Sequence, residues 1–208
     1  GIADHSQAAG YAGGLSPEQL LRQHEEIDRW NDEHGGELRV LKGVEADILS
    51  DGRVDYEQYG ERVLGSLDYV IASVHSGFRM ERRQMTARFL RALENPYVSM
   101  LGHLTGRLLL TRDAYDVDVA TVVAAAAERG VAIEINADPF RMDLDWRYWR
   151  TAKRAGARAA INPDAHSVRA LDNVRLGVTF ARKAWLEAAD VVNAWPLDDV
   201  RAFFRRRR

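Results

Sequence analysis

The chain has 208 residues, 46% hydrophobic and 29% charged, which is enough apolar material for one substantial core. A net charge of −2 gives no whole-chain nucleic-acid footprint, and no apolar run is long enough to span a bilayer. The absence of cysteine excludes disulfides and thiolate metal sites, so any metal must be held by nitrogen and oxygen.

The opening residues GIADHS read as the last part of a strand followed by its loop. A domain that starts inside a strand is expected to be a piece of a longer chain, and no signal-peptide pattern is present. Ser16 then stands as an N-cap, with Pro17 at the first helical position and Gln19 three residues after the cap. Leu20, Leu21, Ile27 and Trp30 form an apolar stripe at helical spacing, and Gly35-Gly36 ends that helix. LRVLKGVEADI reads as a strand before an Asp51-Gly52 turn, and residues 53–65 as a short helical connection. LDYVIASV is the next strand, and residues 81–94 form a charged amphipathic helix stopped by Asn95-Pro96. YVSMLGH, VAIEINA and ARAAINPD are further strands. They are separated by an alanine-rich helix closed by Gly130 and by the helix LDWRYWRTAKRAG, whose aromatic residues should pack it onto the sheet. Helices near 174–187 and 197–205 finish the chain, and the last arginines of RAFFRRRR read as a solvated tail. Strands and helices alternate through short connections, which implies parallel strands joined by helical crossovers in one domain spanning residues 1–208.

The C-terminal ends of these strands carry one kind of chemistry. They present Asp4-His5, then Glu45 and Asp47, His75, His103, Glu134 with Asn136, and Asp164 with His166. In a parallel barrel those ends converge on one face, where active sites form. Imidazole nitrogens together with carboxylate oxygens suit zinc, manganese or iron. A bridging carboxylate such as Glu45 suits a site with more than one ion, which activates water and neutralises charge on a phosphate. His24, beside Leu20 and Ile27, reads as a boundary residue of its helix, and His34 falls in the last turn. Neither is a ligand candidate.

The phrases ADHSQAAGYAGGLSPEQL, LKGVEADIL, DYVIASVHS, ENPYVSMLGHLTGRLL, EINADPFRMDLDWRY, INPDAHS and LDNVRLGV span nearly the whole chain. In that order they resemble the PHP (polymerase and histidinol phosphatase) domain, most closely the C-terminal PHP domain of bacterial family X DNA polymerases. The resemblance implies an α/β fold, a distorted seven-stranded (βα) TIM-like barrel with a trinuclear centre of Mn2+ or Zn2+, here truncated by its first βα unit. By that resemblance Glu45 bridges two metals, His75 and His103 join it on the second, Asp164 ligates the first, and His5 and His166 ligate the third. Glu45 and Asp164 thereby become catalytic, with Arg141 as a contact to substrate phosphate, unless it pairs with Asp143 or Asp145. Asn136 and Asn162 are expected to orient ligands from behind.

The match is incomplete in ways that matter. The family's first strand carries a His-x-His motif and a further histidine in the loop after it, and this chain has neither. The first metal would keep only Glu45 and Asp164, and the third only His5 and His166, while the second keeps its full set of Glu45, His75 and His103. Leu104 stands where the family often has proline, and Pro163 where threonine is usual; Pro163 removes a backbone donor beside Asp164. The resemblance implies a fragment of a longer polymerase that hydrolyses phosphodiesters at DNA 3′ ends, as a 3′–5′ exonuclease in repair. Its setting would be cytoplasmic, in a monomeric parent alongside polymerase domains, with no membrane partner. Two alternatives stay open: a histidinol-phosphate-type phosphomonoesterase, and a non-catalytic module that positions DNA. Arg79, Arg82, Arg83, Arg107 and Arg112 are candidate guides for a DNA backbone.

Overall fold

Six strands build one parallel sheet in sequence order: β1 (Ile2–His5), β2 (Lys42–Asp47), β3 (Tyr69–Ser73), β4 (Met100–Leu101), β5 (Ala132–Asn136) and β6 (Ala159–Asn162). This is a computed structural model, and it describes residues 1–34, 36 and 38–207. The expected helix stop at Gly35 and the final Arg208 of the tail lie outside those residues. Helices α1 (Pro17–His34), α2 (Gly60–Val63), α3 (Arg82–Ala92), α4 (Val119–Arg129), α5 (Trp146–Arg154), α6 (Val174–Lys183) and α7 (Leu197–Arg205) connect or flank the strands. None of these helices is long and apolar enough to cross a membrane.

Local chemistry sets the element ends. At the start of α1 the Gln19 amide donates to Ser16 Oγ at 3.2 Å, and the Ser16 amide donates to Gln19 Oε1 at 2.7 Å. Two helix-terminal donors are thus satisfied reciprocally. Asp118 caps α4 by accepting from the Thr121 amide, and Gly130 closes it in the left-handed conformation.

The strands are covered on both faces, so their residues sort by parity into two apolar clusters. Val44, Ala46, Val70, Ala72, Leu101, Ile133 and Ile135 pack outward among the helices, with Phe89 of α3, Val122 of α4 and Trp149 of α5. Trp149 is buried as the aromatic stripe of that helix requires, whereas Tyr148 is exposed. The alternate residues Tyr69, Ile71, Met100, Ala132 and Ala160 turn inward and meet Phe203 and Phe204 of α7. Gly43 is required where Tyr69 crosses β2, because a Cβ there would lie 2.3 Å from the Tyr69 ring. The inner space is therefore filled with apolar groups at one end, while the same inward parity carries Glu45, Glu134, Asn136 and Asn162 at the other.

The sheet curls until its two edges face one cavity of about 520 Å³, lined by Ile2–His5 on one side and residues 162–166 on the other. The edge of β6 is covered by the segment that follows α6. Val191 bridges Ala159, and the Asn193 side chain both accepts from the Ile161 amide and donates to its carbonyl. This satisfies an edge that would otherwise be left open.

The C-terminal arginines correct the expectation of a solvated tail. Phe203 and Phe204 are buried, Arg205 donates to Asp68 Oδ1 at 3.2 Å, and Arg207 donates to the carbonyls of Val98 and Leu93. The Arg207 guanidinium satisfies carbonyls after α3 and Arg205 pairs with Asp68, which together fix α7 across the end of the barrel remote from Glu45 and Glu134. The histidine of α1 also departs from expectation. His24 is buried rather than at a boundary, and burial, reinforced by Lys42, lowers its pKa to about 4.

Candidate metal centre

Parallel register explains why the candidate ligands meet. His5 pairs in register with Glu45 across β1 and β2, and His75 and His103 follow β3 and β4 by two residues each. The Glu45 carboxylate is the hub. Its Oε2 lies 3.1 Å from His5 Nδ1, and its Oε1 lies 3.4 Å from His75 Nε2 and 3.0 Å from His103 Nε2. The rings of His5 and His75 are 5.0 Å apart and those of His75 and His103 5.1 Å apart, both edge to face.

These contacts leave nitrogen lone pairs uncommitted. His5 Nδ1 and His75 Nε2 are buried and close to Glu45 but lack a hydrogen-bond partner of acceptable geometry. Ligand atoms of His5, Glu45 and His75 all lie within 4.8 Å of one another. Buried polar nitrogens without partners are costly, and a cation at their meeting point would satisfy them. Two imidazoles and a carboxylate, with His103 beside them, fit a zinc or manganese ion.

The supporting groups are mostly backbone and carboxylate. Asp47, also on β2, accepts from His75 Nδ1 and so directs Nε2 toward Glu45. The Asp47 amide in turn donates to Ser6 Oγ at 3.0 Å. Glu134 Oε2 accepts from the His103 amide at 2.6 Å, and its Oε1 accepts from Asn162 Nδ2 at 2.8 Å. Glu134 thus anchors the backbone that presents His103. That backbone is strained, since His103 has φ 24° and Asp164 has φ 50°, both in the left-handed region.

Electrostatics follow this wiring. Burial alone would push the Glu45 carboxyl up, but the close imidazoles of His103 and His75 outweigh it and hold the acid well below its ordinary range. Burial opposes a proton on His75, yet Asp47 and Glu45 raise it to about 9. Burial pushes the Glu134 acid upward, against the opposing charge of His103.

The side of the centre at the end of β6 is built differently. Asp164 Oδ2 accepts from Arg141 Nε at 3.1 Å and from Asn136 Nδ2 at 3.0 Å. Arg141 therefore pairs with neither Asp143 nor Asp145. Asp143 is buried and accepts from the amides of Thr105 and Gly106, and Asp145 binds Arg107 and Arg147. The His166 side chain is 71% exposed, with Nδ1 2.9 Å from its neighbour's carbonyl at Asp164 and its ring 6.0 Å from that of His5.

Of the five candidate DNA guides, two are built into loops. Arg107 holds the carbonyls of Arg141 and Met142 as well as Asp145. Arg112 holds the Gly106 carbonyl and lies 4.1 Å over the Phe78 ring. Arg79, Arg82 and Arg83 are not drawn into the centre; Arg82 lies 3.7 Å from Asp118. Sequence reasoning missed Arg88, a buried guanidinium on α3 that donates to the carbonyls of Leu49, Ser76 and Ile48. It clamps the residues that follow Asp47 at the end of β2 to the loop after β3 that carries His75. The available signal was a charged residue within the apolar stripe of Met85, Phe89 and Ala92.

Comparison with known proteins supplies a lineage. No family model matches the chain. The DNA polymerase/3′-5′ exonuclease PolX of Bacillus subtilis (strain 168) is 42% identical over 205 residues, covering 99% of this chain and 35% of that protein. A probable phosphatase of Caldanaerobacter subterraneus subsp. tengcongensis is 36% identical over 141 residues, covering 62% of this chain and 51% of the relative. The chain thus spans about a third of the first relative and half of the second. Among solved structures, histidinol phosphate phosphatase from Lactococcus lactis, in complex with zinc, L-histidinol and phosphate, superposes with a TM-score of 0.53 at 17% identity. The superposition covers 81% of this chain and 75% of that one, a likeness of fold. With the curled parallel sheet and the histidine-rich strand ends, these relationships support a PHP domain related to the matching region of PolX.

Proposed function

We propose that this domain is a metal-dependent phosphodiesterase that trims DNA 3′ ends, as a cytoplasmic 3′–5′ exonuclease working beside polymerase domains. The observation that carries the reading is one buried carboxylate, Glu45, shared by His5, His75 and His103. The polymerase/exonuclease relative supports DNA as the substrate.

In this reading Glu45, His75 and His103 hold one divalent cation, with His5, Asp164 and His166 available to further ions. A bound cation of this type acidifies a water molecule and offsets charge on phosphate oxygens. The chain's own residues do the positioning. Asp47 fixes the ring orientation of His75, and Glu134 fixes the His103 backbone, so ligand geometry exists before substrate arrives. Arg141 pairs with Asp164, which lines the cavity, and its guanidinium can exchange that carboxylate oxygen for a phosphate oxygen. Asn136 then remains as the donor that orients Asp164.

The test is hydrolysis of a labelled single-stranded DNA by protein loaded with Mn2+ or Zn2+, with histidinol phosphate as the comparison substrate. Stepwise loss of 3′ nucleotides that stops with EDTA is expected. Hydrolysis of the phosphomonoester alone would favour the histidinol-phosphate-type alternative. A metal-loaded protein that binds DNA without hydrolysing either substrate would favour a positioning module.

A further inference from the structure

Three loops at the ligand end of the sheet hold large apolar side chains in solvent. Tyr11 follows β1 and is 77% exposed, Leu110 follows β4 and is fully exposed, and Phe140 follows β5 and is 64% exposed. Leu110 sits at φ 64° at the tip of a small hairpin, closed by two backbone hydrogen bonds of 2.8 Å between Leu108 and Arg112. A strained backbone that exposes a leucine gains nothing for the core.

These loops are tied to one another and to the centre. The Leu109 amide donates to the Phe140 carbonyl at 2.6 Å. The Phe140 amide donates to Asp138 Oδ1 at 2.7 Å, and the Asp138 amide donates to Asn136 Oδ1 at 3.1 Å. Phe140 is therefore held by two short links from Asn136, which also donates to Asp164. The next residue, Arg141, reaches Asp164 itself. The loop that carries Tyr11 lines the same cavity through its next two residues, Ala12 and Gly13, together with His5, Glu45 and Asp164. Both aromatic loops thus border the carboxylate cluster.

We propose that Phe140 and Tyr11 form a base-stacking rim that selects unpaired 3′ nucleotides for the Glu45 centre. This rests on the DNA reading given above and adds to it the feature by which a single strand is recognised. Separate aromatic faces beside guanidinium groups match the alternation of bases and phosphates along a single strand. A base-paired terminus would offer only its last stacked pair, and a small phosphomonoester would not extend from the cavity to the rim. Arg141 supplies charge without sequence preference, so the rim is expected to tolerate any base.

The test uses fluorescence anisotropy with Mn2+-loaded protein. The probes are a short 5′-labelled oligothymidylate with a hydrolysis-resistant 3′ phosphorothioate, and a strand of equal length whose last nucleotides are abasic. Both carry the same charge, so any difference reports stacking. The unsubstituted protein should bind the abasic strand about tenfold more weakly. Phe140→Ala should bind both strands alike at the weaker level, Tyr11→Ala should lose part of the preference, and Phe140→Trp should restore it. Retained manganese serves as the fold control. Equal binding of both strands by the unsubstituted protein would overturn the rim and leave the DNA reading standing, as would an unchanged preference in Phe140→Ala. Failure to bind either strand would overturn both.

Discussion

The two sides of the centre solve the same problem in opposite ways. On the β2–β4 side, Glu45, His75 and His103 are enclosed, and the two histidines are fixed by Asp47 and Glu134. On the β6 side, Asp164 is partly open, His166 stands in solvent, and the carboxylate is neutralised by Arg141. The first arrangement crowds imidazoles around one buried carboxylate, a donor set that a cation would satisfy. The second already pairs its carboxylate with a guanidinium, which in the proposed reaction would exchange that carboxylate for a substrate phosphate. The proposed reaction thus divides metal binding on the preorganised side from substrate binding on the exchangeable one.

The largest way to break this division is Glu45→Gln. Removing the shared carboxylate should weaken metal binding by more than the roughly 100-fold that loss of a supporting partner costs, and should abolish hydrolysis. Calorimetric titration with Mn2+ or Zn2+ checks it. An Arg141→Ala control should keep metal binding on the β2–β4 side.

A second way uses pH. In the metal-free protein His75 is raised from an ordinary 6.5 to about 9 by Asp47 and Glu45, against the opposing effect of burial. A raised base stabilises the fold fully below its unfolded pKa and loses that contribution as pH climbs through the folded one. Thermal stability of the metal-free protein should therefore fall between about pH 6.5 and 9, by roughly 3 kcal/mol at most. Loading with metal should flatten this slope, because ligation requires neutral imidazole and releases the proton. A metal-free melting temperature that rises over this interval would contradict the assignment.

Asp47→Asn tests the support rather than the ligand. Metal affinity should drop by about 10–100-fold while the ligand atoms stay in place. Smaller still, Arg141→Ala should raise KM for a phosphate substrate by about tenfold, in keeping with the loss of one charged hydrogen bond. Arg141→Lys should recover part of that, since an ammonium supplies charge without the planar fork.

Much of this was legible because parallel β-strands impose a simple rule. Residues at and just past the C-terminal ends meet on one face, so Glu45, His75 and His103 converge once the strands are recognised, with His103 turned in by its left-handed backbone. The capping box at Ser16 and the stop at Gly130 were readable for similarly local reasons. Long-range charge pairing was not. Arg141 had three carboxylates within reach along the chain or across the barrel, and its choice of Asp164 depends on how the loops after β5 and β6 approach. The contacts of Arg207 after α7 and the clamp at Arg88 were hidden for a related reason, because their acceptors are backbone carbonyls with no signature in side-chain chemistry. Burial of His24 likewise depends on packing between α1 and the sheet.

The most direct measurement is elemental mass spectrometry on folded protein dialysed after loading with manganese or zinc, compared with Glu45→Gln. Retention of at least one ion per chain, lost in the variant, is the expected result for a centre organised by Glu45. A folded protein that retains no metal, or a variant that retains as much as the unsubstituted chain, would contradict it.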